Sequence, residues 1–73
     1  MNSDRTIREN EGFIIIVSTR TGFETEVVMG FNPVSKQYVT WLCYRGDDYN
    51  YGHYGTDFDK AVRDYRRRCR SDC

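Results

Sequence analysis

The sequence is short of the residues from which specialised sites are usually built. It has one proline, one histidine and one tryptophan among 73 residues, and eleven Lys and Arg balance eleven Asp and Glu. A chain of this length forms one small domain, because single domains run from about 50 to 200 residues. It buries too little surface to enclose a cofactor pocket beside a core, which argues against most enzymes. We therefore predict a non-enzymatic protein with no cofactor.

Long apolar runs and an excess of one charge are also missing. The longest uncharged apolar run, residues 13–17, is far shorter than the roughly 20 residues that cross a bilayer. The polar, charged start of the chain has no apolar segment of the kind found in secretory signals. With no net charge, binding to nucleic acid or to an anionic membrane would need a local basic patch. We expect a cytoplasmic protein that does not bind membranes.

The few cysteines and the single histidine do not form a recognisable site. Cys43, Cys69 and Cys73 are odd in number, and the last two are four residues apart at the end of a predicted helix, a poor disulfide geometry. Closely spaced pairs such as C-x₂-C, which structural zinc sites use, are absent. We predict free thiols and no metal. His53 lacks catalytic partners in any recognisable motif, so we interpret it as a packing and hydrogen-bonding residue between the last strand and the helix.

A series of β-type segments separated by turn residues makes up most of the chain. These segments are residues 12–19, 23–29, 37–45 and 49–54. They are rich in β-branched and aromatic residues, and several of them alternate between two kinds of side chain, as strands do. In the last of them, Gly52 is expected to mark a bulge or a close backbone approach. The connections between the segments are short enough for hairpins. The pattern predicts an antiparallel β-meander of about four strands.

From Thr56 onward the spacing becomes that of a helix. Apolar residues recur every three or four positions on one side, and arginines occupy the other side. Thr56 followed by Asp59 resembles a capping box that begins the helix. The predicted fold is α+β, with one C-terminal helix packed on one face of the meander. We expect a flexible N-terminal arm at residues 1–11 and a single β4α domain at residues 12–73.

One helix covers only one face of such a sheet, so the other face is expected to be uncovered. We place six apolar or aromatic residues there: Ile14, Ile16, Val39, Trp41, Cys43 and Tyr54. Some of them must then be exposed, paired with a second copy in a homodimer, or held against a partner protein. The leading functional hypothesis is therefore a protein-binding surface.

Acidic and aromatic residues flank the expected surface. We assign partner binding to Glu24, Glu26, Trp41, Asp47, Asp48, Tyr49 and Tyr51. The four carboxylates would form a negative edge able to meet a basic groove, such as that of a nucleic-acid enzyme. Tryptophan and tyrosine are among the side chains that dominate binding energy at protein interfaces.

An alternative function comes from the basic side of the helix. Residues 57–70 hold six basic and three acidic side chains, a local net charge of +3. Arg63, Arg66, Arg67 and Arg70 are the candidate phosphate contacts of a small nucleic-acid-binding or regulatory module. Tyrosines of the sheet could stack on bases beside them.

Two short motifs carry a resemblance to known proteins. The sequence has YVTW at residues 38–41 and YGHY at residues 51–54, followed by the helix. This half of the chain, residues 37–69, resembles a group of short proteins of unassigned activity encoded by Gram-positive bacteria, their phages and mobile elements. The resemblance implies a protein in the host-cell cytoplasm with no catalytic residues to transfer. It also implies binding to a host protein, with inhibition of a bacterial defence nuclease, as anti-CRISPR proteins do, as one such role.

Overall fold

The structure, a computed structural model, describes residues 8–71. Its elements are β1 (Glu9–Asn10), β2 (Phe13–Arg20), β3 (Thr25–Asn32), β4 (Gln37–Tyr44), β5 (Asp48–Gly55) and α1 (Phe58–Ser71). The strands form one antiparallel sheet in the order β1-β2-β3-β4-β5. The predicted α+β meander with a C-terminal helix is confirmed, but it has five strands rather than about four. No helix within residues 8–71 is long and apolar enough to cross a bilayer.

The additional strand lies in the segment expected to be a flexible arm. Asn10 pairs with Phe13, and the turn between them consists of Glu11 and Gly12, with φ of 54° and 85°. Two consecutive residues at positive φ make the tight turn that suits a two-residue hairpin. Glu9 and Asn10 therefore belong to the sheet, and residues 1–7 of the expected arm lie outside the described residues.

Two element boundaries differ from the predicted ones. The second long strand begins at Thr25, because Thr21 and Gly22 donate their backbone N–H groups to the Thr25 carbonyl and close a wider turn. Phe23, expected on the strand, lies in that turn and is 89% exposed. The helix is capped by Asp57 rather than Thr56, since its Oδ1 accepts the N–H groups of the second and third helical residues at 2.9 and 3.2 Å.

Side chains under the helix fill one face of the sheet. Val27, Met29 and Thr40 alternate onto this face, and each is at most 5% exposed. The aromatic rings of Tyr38 and Phe58 meet at 5.2 Å where α1 begins. This layer fixes the position of the helix over β3, β4 and β5.

The opposite face is not uncovered, and this expectation was wrong. It holds the hydrophobic core cluster, which consists of Phe13, Val28, Val39, Trp41 and Cys43. The Phe13 ring lies 5.6 Å from the Trp41 ring and 5.7 Å from the Tyr54 ring. In a flat sheet the strands of Phe13 and Tyr54 would be three strand spacings, about 14 Å, apart. The sheet curls so that its two sides meet and bury the centre of this face without a second chain, while Tyr54 at its edge stays 52% exposed.

Candidate functional site

Most of the residues assigned to a protein partner gather at one end of the sheet. The β2–β3 turn and the β4–β5 turn lie side by side there, because the backbone N–H of Arg45 donates to the Glu24 carbonyl at 2.8 Å. Asp47 is exposed in the second turn, and Asp48 is exposed at the start of β5. The structure therefore brings the four predicted carboxylates into one neighbourhood.

Arginines of the same chain, however, offset the charge of two of these four carboxylates. Glu24 accepts a hydrogen bond from Arg45 at 2.9 Å, and Glu26 accepts one from Arg8 at 2.9 Å. Because Glu26 faces the core side of the sheet, its side chain is only 19% exposed. This end of the sheet is a mixed-charge surface rather than the negative edge expected from the sequence.

The aromatic residues of the same assignment separate into three environments. Trp41 was expected to contact a partner, but it is only 3% exposed. Its side chain lies in the core and offers almost no surface for binding. Tyr49 packs against Trp41 with ring centroids 5.2 Å apart, and its hydroxyl accepts a hydrogen bond from Arg8 at 3.2 Å. Tyr51 is 70% exposed and lies further along β5, beside the helix.

The arginines assigned to nucleic acid form a continuous exposed surface on α1, here called the arginine face: Arg63, Arg66, Arg67 and Arg70. Residues at positions i, i+4 and i+7 of a helix share one side, so three of the four lie in a single row. Within residues 8–71 the only ion pair in this set joins Arg67 to Asp64, and its guanidinium stays 68% exposed.

A polar cluster under α1 anchors this face to the sheet. Asp64 Oδ2 accepts hydrogen bonds from the Thr40 hydroxyl at 2.5 Å and from His53 Nδ1 at 2.9 Å. Arg68 donates to the Thr40 carbonyl at 2.9 Å and to the Tyr51 carbonyl at 2.6 Å. His53 therefore hydrogen-bonds across the junction between strand and helix, as its sequence interpretation predicts.

Electrostatic interactions keep Asp64 and Arg68 of this polar cluster charged. Burial by itself would raise the pKa of Asp64, but hydrogen bonds from Thr40 and His53 and the positive charge of Arg68 outweigh burial, so the pKa is lowered. Burial lowers the pKa of Arg68, and the carboxylate of Asp64 opposes that effect. A carboxylate and a guanidinium thus hold the helix against β4 and β5.

Tyr51 has an unusual backbone at the point where β5 bends. Thr40 pairs with His53 and Leu42 with Asn50, so Trp41 lies opposite two residues of β5. Tyr51 is one of these two and has a φ of 56°. The bulge predicted at the neighbouring Gly52 is confirmed, and it turns the Tyr51 side chain outward.

A groove of about 350 Å³ lies between β5 and the start of α1, next to the polar cluster around Asp64. Its wall includes His53, Asp64, Lys60 and Tyr38. Among residues 8–71 no group of three or more histidine, cysteine or acidic side chains is placed to hold a metal ion. The groove offers one histidine beside a carboxylate that is already hydrogen-bonded.

Several of these contacts lie beyond what the sequence pattern could indicate. Arg8 lies in a polar segment with no periodicity, yet it supplies the charge that pairs with Glu26. Nothing in the local spacing connects Arg68 to Tyr51, which is 17 residues away in the chain. The only sequence signal for the second contact was the glycine that marks the bulge.

Comparisons with known proteins leave the site to be interpreted from its own side chains. No family model matches the chain, and no curated protein or solved structure matches it.

Proposed function

We propose that the protein is a non-enzymatic binding module that holds nucleic acid against the arginine face of α1. The observation that carries the proposal is a group of exposed arginines on α1 without carboxylate partners. Glu24 and Glu26 are matched to arginines of the same chain, whereas Arg63, Arg66 and Arg70 are exposed and make no ion pair within residues 8–71. Exposed guanidinium groups in a row favour phosphate oxygens as ligands.

The rest of the fold makes this row rigid. Hydrogen bonds from Thr40 and His53 to Asp64, and from Arg68 to two backbone carbonyls, fix the helix on the sheet. Seven residues separate Arg63 from Arg70, which corresponds to about 10 Å along a helix axis. Contacts to the phosphate backbone position a nucleic acid without reading its sequence, so we expect binding with little sequence preference.

A salt series with paired variants tests the proposal. Fluorescence anisotropy would measure binding of a labelled oligonucleotide to the wild-type chain and to the double variant Arg63→Ala/Arg70→Ala. Each lost phosphate contact should reduce the slope of log K against log salt by about 0.7 on a single strand or about 0.9 on a duplex. The matched control is Arg20→Ala/Arg45→Ala, which removes the same charge from the end of the sheet where the β2–β3 and β4–β5 turns lie.

The control should bind as the wild-type chain does, and circular dichroism should show that both variants remain folded. Absence of salt-dependent binding by the wild-type chain would overturn the proposal. An equal loss in the two double variants would do the same, because it would show that net charge rather than the arginine face matters.

A protein partner is the second candidate, and the exposure of Phe23 favours it. This ring is 89% exposed at the mixed-charge end of the sheet, beside a groove of about 420 Å³. An exposed aromatic ring next to charged residues is typical of a protein interface. The host protein expected from the sequence, including a defence nuclease, would bind at this end. We do not place the partner on the sheet face that was expected to be uncovered, because that face holds the hydrophobic core cluster.

Two substitutions separate this candidate from non-specific adhesion. Phe23→Ser should abolish a protein complex recovered from a bacterial lysate. Val34→Ser should leave it unchanged, because Val34 is 90% exposed at the other end of β3. A complex that survives Phe23→Ser, or is lost equally in both variants, contradicts binding at this end.

A further inference from the structure

Tyr51 combines two properties that packing does not explain. Its side chain is 70% exposed, more than that of Tyr44 or Tyr54. Its backbone has a φ of 56°, a left-handed conformation that is rare and costly for an aromatic residue. Strained positions of this kind persist only where the surrounding structure holds them, and they concentrate at functional sites.

The surrounding structure does hold Tyr51 in place. Its carbonyl accepts a hydrogen bond from Arg68 Nη2 at 2.6 Å, which ties the bulge to α1. The next residue, Gly52, lies against Trp41, since a methyl group there would be 2.7 Å from Trp41 Nε1. The backbone of the bulge is thus fixed from the helix side and from the core side, and it presents the Tyr51 side chain to solvent.

The backbone of Tyr51 lies beside α1, at the edge of the arginine face. Arg67 follows Asp64 on the same side of α1 and precedes Arg68, which contacts the Tyr51 backbone. His53, two residues further along β5, hydrogen-bonds to the same Asp64. Tyr51 and Arg67, both exposed, therefore lie on either side of one junction between β5 and α1.

We propose that Tyr51 is a base-stacking platform that makes the arginine face select single-stranded nucleic acid, an inference that rests on the proposed function. A nucleic-acid strand can place its phosphates on arginines and a base on an adjacent aromatic ring only if that base is unpaired. In a duplex the faces of the bases are covered by their neighbours, and only the phosphates remain available. Stacking tolerates any base, because every base has an aromatic face.

The test compares a labelled oligothymidylate with a duplex of the same length, using the full chain. The wild-type protein should bind the single strand at least about fivefold more tightly than the duplex, and Tyr51→Ala should remove that advantage, as expected for the loss of about 1 kcal/mol of stacking. Tyr51→Phe should retain it, because the ring is kept. Tyr44→Ala, which removes a partly exposed tyrosine from β4, is the matched control and should bind as the wild-type chain does.

A second readout distinguishes stacking from a structural role. Tyr51→Gly removes both the ring and the penalty of positive φ, so it should raise the melting temperature while lowering affinity for the single strand. A variant that merely damaged the fold would lower both the melting temperature and the affinity for the single strand.

The outcomes separate this inference from the function on which it rests. If Tyr51→Ala binds the single strand as tightly as the wild-type chain, or if the wild-type chain binds duplex and single strand equally, the stacking platform is overturned while the arginine face stands. If neither probe shows salt-dependent binding, the proposed function fails and the inference fails with it.

Discussion

Arg8 and Glu26 form a two-pronged ion pair across the core face of the sheet, with Nη2–Oε2 at 2.9 Å and Nη1–Oε1 at 3.3 Å. The same guanidinium donates to the Tyr49 hydroxyl at 3.2 Å, so it connects the residue before β1 to β3 and β5. The hydrogen bond to Glu26 raises the pKa of Arg8, so this guanidinium stays charged at neutral pH. Glu26, which was predicted to contact a partner, thus forms an ion pair with Arg8 of the same chain.

Removal of Arg8 should destabilise the domain more than removal of a similar surface arginine. Arg8→Met leaves Glu26, whose side chain is 19% exposed, without its charged partner, and we expect a loss of about 1–3 kcal/mol in the free energy of unfolding. Arg45→Met is the control, because it breaks a pair with Glu24 whose side chains are 76% and 45% exposed, and it should cost about 0.5 kcal/mol or less. Urea denaturation measures both, and equal losses would contradict the role given to Arg8.

Gly52 should tolerate no side chain, whereas Gly55 on the same strand should. A methyl group at Gly52 would lie 2.7 Å from Trp41 Nε1 and 2.7 Å from the Tyr54 ring, so Gly52→Ala should cost about 1–3 kcal/mol and perturb the near-ultraviolet circular dichroism of Trp41. Gly55→Ala meets no atom within 4 Å and should be neutral or slightly stabilising. If Gly52→Ala unfolded at the same temperature as Gly55→Ala, the close approach described for the bulge would be wrong.

Asp64 should give the fold a pH dependence on the acid side. Its pKa is lowered in the folded state, so the carboxylate contributes stability that is fully present above its unfolded pKa, about 4, and is lost as the pH falls through the folded pKa. At neutral pH Asp64→Asn should cost about 1–3 kcal/mol through weakened hydrogen bonds to Thr40 and His53.

Urea denaturation of the wild-type chain and of Asp64→Asn between neutral pH and about pH 3 measures this difference. The gap between the two proteins should narrow as the solution becomes acid. Asp59→Asn removes an exposed carboxylate from the first turn of the same helix and serves as the control. A gap that stays constant with pH would contradict the charged state assigned to Asp64.

Local patterns in the sequence were sufficient to predict the meander and the helix. The alternation along residues 37–45 and the three-and-four spacing after Thr56 are properties of neighbouring residues. The structure has a strand at the first place and a helix at the second. The bulge was predicted because Gly52 interrupts a strand pattern. Phe23 was placed on a strand because alternation alone does not show where a turn ends.

Features that depend on distant residues were not predicted. β1 has only two residues, too few for any pattern, and its pairing depends on the positive φ of the turn that follows it. The curl that buries Trp41 results from packing of Phe13 and Tyr54 across the sheet. The spacing of apolar residues along the chain does not indicate such a contact. For the candidate site, the arginines of α1 were predicted as a group, but their border with Tyr51 depends on a contact between Arg68 and β5.

The most direct test of the central claim is to locate the ligand on the protein. Nuclear magnetic resonance titration of isotope-labelled chain with an oligothymidylate would follow the guanidinium signals of Arg63, Arg67 and Arg70 together with the ring signals of Tyr51. The account predicts that these signals shift together and saturate at one ligand concentration, while those of Phe23 and Val34 stay in place. Shifts confined to the Phe23 turn, or an absence of shifts on α1, would contradict it.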